Sequence, residues 1–308
     1  MRALITGASG FAGAWLARAC AAAGDEVVGV SRTGTTPAGE GVPLDLADTD
    51  GLARLVRELT PDVVYHLAAQ SDVGVSWSEP AMTIATNMTG AVNVLEAVRH
   101  NAPGARVVWA SSCEVYGDAA GPPVTEEAPL RPATPYAVSK AAGEQLAAIY
   151  AEAHGLEIVR ARPFNHVGPE QRDSFLISSL AKQAAGARLR HLDRLRIVTG
   201  NPATRRDYTD VRDVARAYRL LATPAADAGI YNISSGQSVS AAENVATVAE
   251  LIAPIEVEHV VDPGRVRANE VMDRRGSSER LRLATGWEPE IELRTTIADA
   301  IDWWQAQL

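Results

Sequence analysis

The 308-residue chain predicts an α/β fold, a doubly wound parallel sheet joined to a smaller, interleaved C-terminal lobe. Three observations carry that expectation. Short apolar, β-branched runs alternate with longer helix-forming runs across the first half. A glycine-spaced turn, GASGFAG, follows the first of those runs directly. Neither a long Pro/Gly/Ser linker nor an apolar stretch of ~18 residues interrupts the chain.

Arg2–Thr6 reads as a short buried strand, followed by the glycine turn and an apolar helix, AWLARACAAAG. EVVGVS, at Glu26–Ser31, is a second strand. A helix around Thr49–Leu59 leads through Pro61 into the strand DVVYHLAA. A helix near residues 81–99 precedes RVVWASS, again strand-like. Thr134 can cap the next helix and Pro135 suits its first turn, so a helix over 136–152 is expected before the strand LEIVRARP. After that the rhythm changes. A helix near 175–185 leads into an arginine-rich region and the segment GNPATRRDYTDVRDVARAYRLLA. IYNIS adds a further sheet strand, and IEVEHVV and the amphipathic run IADAIDWWQAQL close the chain. Residues 1–164, with a returning segment near 208–234, are expected to form a dinucleotide-binding domain. Residues 165–207 and 235–308 form the second lobe.

A formal net charge of −9 argues against binding nucleic acid or an anionic membrane through bulk charge, though a few arginines can still build a local anion site. Cys20 and Cys113 are the only cysteines, and no His/Cys cluster accompanies them. Neither a disulfide framework nor a metal site is expected, and a reducing cytoplasm fits. Residues 1–5 run straight into a glycine turn that belongs to the fold, which suits the same setting.

Gly7, Gly10 and Gly13 form G-x-x-G-x-x-G between a strand and a helix. That placement lets a cofactor pyrophosphate approach the backbone N–H groups at the positive end of the helix, the mark of a Rossmann-type domain. Cofactor choice is read at the end of the second strand, where a carboxylate selects NAD. Here Ser31 and Arg32 stand instead. Arg32 can pair with a ribose 2′-phosphate and Ser31 can add a hydrogen bond, so NADPH is expected; the alternative is a solvated surface arginine. Asp45, in LDLAD, either meets the adenine edge or only caps the next helix. Tyr136 and Lys140 lie four apart, on one helix face. An ammonium beside a phenol lowers the tyrosine pKa, and such a tyrosine exchanges protons with a sugar or alcohol oxygen. Taken alone, that spacing also occurs on ordinary solvated faces.

GxxGxxG, YHLAAQ, SSCEVYG, Tyr136-x3-Lys140 and RPFNHVGP appear in this order over essentially the whole chain. The set resembles the extended short-chain dehydrogenase/reductases that act on nucleotide sugars. The resemblance implies that Ser112 hydrogen-bonds the substrate oxygen and that Tyr136 is the acid/base. It implies that Lys140 binds the nicotinamide ribose and holds the tyrosine pKa down. Phe11, Ala12, Leu46, Leu67, Ala68 and Ala69 would line the cofactor.

FNHVGPEQ (164–171), Lys182-Gln183 and GNPATRRDYTDVRDVARAY are most similar to reductases of GDP-4-keto-6-deoxy-D-mannose. GDP-mannose 4,6-dehydratases come next. This implies substrate contacts from Asn165, Lys182 and Arg206, and from Arg267 and Glu270 in RANEV, where Ala268 replaces the family's proline. The implied reaction is NADPH-dependent reduction of a nucleotide-linked 4-keto-6-deoxyhexose at C4, giving GDP-D-rhamnose. A 4,6-dehydratase stays open because Glu114 occupies the dehydratase glutamate position, where it either abstracts a proton or only hydrogen-bonds the sugar or anchors a loop. Cys113, where dTDP-glucose dehydratases carry aspartate, weakens that branch alone. A 4-epimerase and a noncatalytic NADP-binding protein are further alternatives. Family members pair the helices near 81–99 and 136–152 in a homodimer.

Overall fold

A computed structural model describes residues 1–118, 121–266 and 271–308. The first half alternates β1 (Arg2–Thr6), α1 (Phe11–Ala22), β2 (Glu26–Ser31), β3 (Glu40–Pro43), α2 (Thr49–Leu59) and β4 (Val63–His66). Then come a short α3 (Val73–Ser78), α4 (Pro80–Asn101), β5 (Arg106–Ala110), α5 (Pro135–His154) and β6 (Ile158–Pro163). The remainder runs β7 (Asn165–Val167), α6 (Leu176–Leu189), β8 (Arg194–Thr199), β9 (Arg205–Asp210), α7 (Val211–Leu221) and β10 (Ile230–Ile233). It ends with β11 (Ser238–Ser240), α8 (Ala241–Leu251), β12 (Glu256–Val261), β13 (Asp273–Arg274), α9 (Glu279–Thr285) and α10 (Leu293–Gln307).

Seven strands pair in parallel in the order β10-β6-β5-β4-β1-β2-β3. Strand order reverses between β1 and β4, so a crevice opens at the carboxyl ends of those two strands. The period-two alternation of each strand divides the core between the two faces. Ala3, Ile5, Val63, Tyr65, Val108 and Val159 pack with α1 and α7. Leu4, Val28, Val64, Val107 and Ile158 pack with α2, α4 and α5. Burial on both faces explains why these strands read as continuous apolar runs.

In the second lobe β9 pairs with β7, β11 and β13, while β8 pairs with β12. The arginine-rich region becomes β8 because buried Leu195 and Ile197 alternate with exposed Arg194 and Arg196. Helices α6, α8 and α10 close over this layer through Ile177, Leu180, Val248, Ile297 and Ile301. The chain returns to the main sheet as β10 before entering the lobe again.

A single carboxylate fastens the crossing points. Asp207, fully buried on β9, accepts from Ser235 N at 2.8 Å and Ser235 Oγ at 2.7 Å through Oδ1. Its Oδ2 accepts from Gly236 N at 3.0 Å and Gly276 N at 3.2 Å. Gly276 has no room for a Cβ, which would meet the Phe164 ring and Ser234. In Asp207→Asn an amide NH2 must face N–H donors, leaving a buried donor unmade. We expect a loss of about 1–3 kcal/mol in unfolding free energy, measured by urea denaturation.

Candidate active site

The crevice begins with the glycine loop. Gly7 has φ +77°, and its N–H donates to Val30 O at 2.9 Å. A Cβ on Gly7 would stand 2.8 Å from Ala68 N, and one on Gly13 would strike Gly7 O. The loop is therefore as tight as backbone allows. Helix α1 starts at Phe11 with Gly10 as N-cap, no side-chain cap and no acidic residue in its first turn. The first-turn N–H groups, Phe11 and Ala12 included, are left for an anion, which fits a pyrophosphate.

At the end of β2, Ser31 is buried and its Oγ donates to Thr35 O at 3.2 Å. Arg32 is exposed and has no ion pair among the described residues. Asp45 accepts from Ala47 N at 2.9 Å, whereas Asp48 caps α2 through Gly51 N at 2.9 Å. Capping is thus the task of Asp48, not Asp45. Leu46 lies against Gly90, and Leu67, Ala68 and Ala69 leave β4 toward the crevice, with Ala68 N donating to Thr6 Oγ1 at 3.3 Å.

Ser112, two residues beyond β5, has extended backbone and caps one tight helical turn over Cys113–Tyr116, accepting from Glu114 N at 3.2 Å. Thr134 caps α5 as expected, accepting from Ala137 N at 3.0 Å. Helix α5 lies close on β5 because Gly143 faces Trp109, where a Cβ would be 3.2 Å from Cζ2. Tyr136 and Lys140 are buried, and Lys140 Nζ donates to Ala110 O at 2.7 Å.

The expected depression of the tyrosine pKa is not what this arrangement produces. Burial pushes the Tyr136 hydroxyl above its ordinary value; the Ser112 hydroxyl opposes this, and the charge of Glu114 adds to it. The Lys140 ammonium is engaged by a backbone carbonyl instead. Its own pKa falls to about 8 through burial, with Glu144 acting in the opposite direction. Beside it, His66 is held neutral: burial, then the Lys140 charge, lower it to about 3. His66 Nδ1 shares a 2.9 Å hydrogen bond with Thr6 Oγ1, and its ring lies 4.5 Å from that of Trp109. A cavity of about 10 Å³ between His66, Asn87 and Lys140 has room for one water.

Two ion pairs support this centre, and neither is evident from the motifs. Glu144, one turn beyond Lys140, is fully buried and accepts from Arg162 Nε at 3.0 and 3.1 Å and from Ser111 Oγ at 2.6 Å. Arg162 also donates to Tyr116 Oη at 2.8 Å, and Tyr116 donates to Asn232 Oδ1 at 2.7 Å. The four-residue spacing from Lys140 is the sequence signal for Glu144. The second pair joins Arg274, buried on β13, to Glu114. No local pattern announces it.

Asn165 opens β7 opposite Tyr208 on β9. Arg206 donates to Arg205 O at 2.7 Å and Val271 O at 2.8 Å, and burial followed by the charge of Arg274 lowers its pKa. Lys182 is engaged elsewhere. Its Nζ donates to Asp173 at 2.6 Å and lies 4.9 Å from the Trp304 ring on α10. Gln183, one residue on, lines an open cleft of about 630 Å³ with Ser174, Leu180, Thr199 and Arg265. Arg267 and Glu270 fall outside the described residues. Among the described residues no group of His, Cys, Asp or Glu could hold a metal, and no helix is long and apolar enough to cross a membrane.

A seven-stranded parallel sheet with a glycine-spaced loop and a Ser–Tyr–Lys set at its carboxyl edge defines an enzyme of the NAD(P)-dependent extended short-chain dehydrogenase/reductase class. Within that class the chain belongs to the GDP-mannose 4,6 dehydratase family, whose model matches residues 4–300. It is 38% identical to the GDP-6-deoxy-D-mannose reductase of Pseudomonas aeruginosa, over 86% of each chain. It is 29% identical to the GDP-mannose 4,6-dehydratase of Yersinia enterocolitica, over 83% of this chain and 76% of that one. Among solved structures, RMD from Pseudomonas aeruginosa complexed with NADPH superposes with a TM-score of 0.88 at 34% identity, covering all of both chains.

The native state releases the Lys140 proton before the unfolded chain does, since its pKa is about 8 against an ordinary 10.5. The cost of burying the ammonium is therefore full below pH 8 and relieved as pH rises toward 10.5. Between pH 7.5 and 10 the ligand-free wild type should gain about 1–3 kcal/mol relative to Lys140→Met in urea denaturation.

Proposed function

We propose that this protein reduces the C4 ketone of a nucleotide-linked 4-keto-6-deoxyhexose with NADPH, converting GDP-4-keto-6-deoxy-D-mannose to GDP-D-rhamnose. One observation carries the proposal: Tyr136 meets the Ser112 hydroxyl, Lys140 is held at the end of β5, and the strand next to the glycine loop is followed by Arg32 and not by a carboxylate. The 38% identical reductase supports the same chemistry.

Bound NADPH supplies the hydride that reaches C4. Ser112 Oγ accepts from Glu114 N and its hydroxyl lies against that of Tyr136, so its proton can turn from the phenol to the ketone oxygen. Burial keeps Tyr136 protonated at neutral pH, the state needed to hand a proton to the forming alkoxide. The Lys140 ammonium spends one donor on Ala110 O and keeps two for the nicotinamide ribose. Ser31 and Arg32 hold the 2′-phosphate, with Asp45 toward the adenine edge. Asn165 and Arg206 face the sugar diphosphate.

The deciding experiment offers GDP-4-keto-6-deoxymannose with NADPH and, separately, GDP-mannose with NADP⁺. Stoichiometric NADPH oxidation by the keto sugar is expected. Conversion of GDP-mannose without net cofactor change would replace this reading with a 4,6-dehydratase. Tyr136→Phe should lower kcat by about 10²–10⁴-fold. Arg32→Ala should raise the KM for NADPH about 10–100-fold while leaving that for NADH nearly unchanged.

We also infer a homodimer through α4 and α5. The two helices pack side by side, and Val92, Val138 and Ile149 on them stay exposed, Ile149 at 57%. Sedimentation of the wild type should give twice the chain mass, and Val138→Asp with Ile149→Asp should give the monomer.

A further inference from the structure

We propose that Arg274 determines the reaction outcome: by ion-pairing Glu114 it keeps that carboxylate from acting as a carbon base and confines the site to hydride and proton transfer at the carbonyl. This inference rests on the ketone reduction set out above and adds what prevents a competing reaction.

The competing reaction follows from general carbonyl chemistry. A ketone bound with its oxygen at Ser112 and Tyr136 has an acidic C–H on the adjoining carbon, C5 in a 4-keto sugar. A free carboxylate beside it can take that proton. The C–H electron pair then becomes the C4–C5 double bond of an enolate, and the carboxyl group holds the proton. The enolate can be reprotonated from either face. Where C6 carries a hydroxyl, the electron pair instead forms C5=C6, the C6–O bond breaks and hydroxide leaves. A reductase gains nothing from either path.

Glu114 is the carboxylate in position for such a step. Its N–H donates to the Ser112 hydroxyl, and its charge acts on Tyr136. Its side chain is 24% exposed, so it is not sealed in the core. What it meets first is a guanidinium. Arg274 is 9% exposed, with Nη1 on Glu114 Oε1 and Nη2 donating to Gly117 O at 3.4 Å. The parallel pairing of β13 with β9, Arg274 against Arg206, fixes the backbone from which the guanidinium extends.

A guanidinium keeps its charge at every working pH, so the pairing does not lapse as conditions change. The Arg206 charge also reaches Glu114, while its own hydrogen bonds go to backbone carbonyls. The Glu114 carboxylate must therefore give up a charge-assisted hydrogen bond, in a largely buried setting, before it can take a proton from carbon. It is left to accept from a sugar hydroxyl, an orienting role.

The test reads C5–H exchange directly, using GDP-4-keto-6-deoxymannose with NADP⁺ in D2O, where no reduction can proceed. Proton NMR follows deuterium entry at C5. The wild type should exchange no faster than buffer. Arg274→Met should accelerate exchange about 100-fold, and Arg274→Met combined with Glu114→Gln should return it to the wild-type rate. Arg274→Gln, smaller and polar, should behave like Arg274→Met and serves if the latter does not fold. Rapid exchange by the wild type overturns the proposal, as does the absence of acceleration in a folded Arg274 variant. NADPH oxidation by the same ketone is measured in parallel. Its absence sinks the reductase assignment, whereas exchange by a wild type that still oxidises NADPH sinks only the role given to Arg274.

Discussion

The buried pair of Glu144 and Arg162 is the constraint on which the reacting groups depend. Lys140 and Glu144 are successive turns of α5, and Ser111, which donates to Glu144, immediately precedes Ser112. One carboxylate thus fixes the helix that carries Tyr136 against the strand end that carries the hydroxyl. Arg162 extends the restraint from β6 to Tyr116 and, through Asn232, to β10. Removing one partner of such a pair strands a charge in the core and costs about 3–5 kcal/mol, far more than a surface ion pair contributes. The pair acts through positions, since neither residue is needed to touch substrate.

The cofactor loop is braced from the second half of the chain. The Phe11 ring stacks on His166, with centroids 5.8 Å apart. Trp15 Nε1 donates to Pro169 O at 3.2 Å, and Arg18 pairs with Glu170. Helix α1 is thereby coupled to the segment that follows Asn165. Together with the return of the chain as β10 and the Asp207 junction, this ties loop and lobe into one frame. Binding energy gained at the nucleotide can then be used to align groups at the sugar.

Much of this was legible in the sequence because it is local. Strand periodicity, the glycine spacing, the Thr134-Pro135 helix start and the Tyr136–Lys140 repeat each need only a few neighbouring residues. What was not legible depends on distant partners. The role of Glu114 stays open in the sequence until Arg274, 160 residues away, is seen on it. Strand β13 is two residues long and exists only because β9 templates it. Lys182 and Gln183 differ by about 100° around α6, and the motif could not say which of them faces the cleft. The direction of the Tyr136 shift in the ligand-free chain is hidden from the sequence for a related reason. Spacing placed an ammonium near the phenol, but burial and a backbone carbonyl decided the balance.

Cys113 offers a use that its chemistry in the closed protein conceals. It sits between Ser112 and Glu114, is 2% exposed, and burial pushes its thiol up to about 12. A protonated, shielded thiol is inert toward alkylating reagents. Its modification therefore waits for the turn beside the reacting groups to open, and under such conditions the labelling rate is a clock for that opening. Cys20, buried on α1 with a thiol pushed up to about 11, provides a second clock on the sheet face that α1 and α7 cover. The ratio of the two rates separates local breathing of the active-site turn from unfolding of the whole chain.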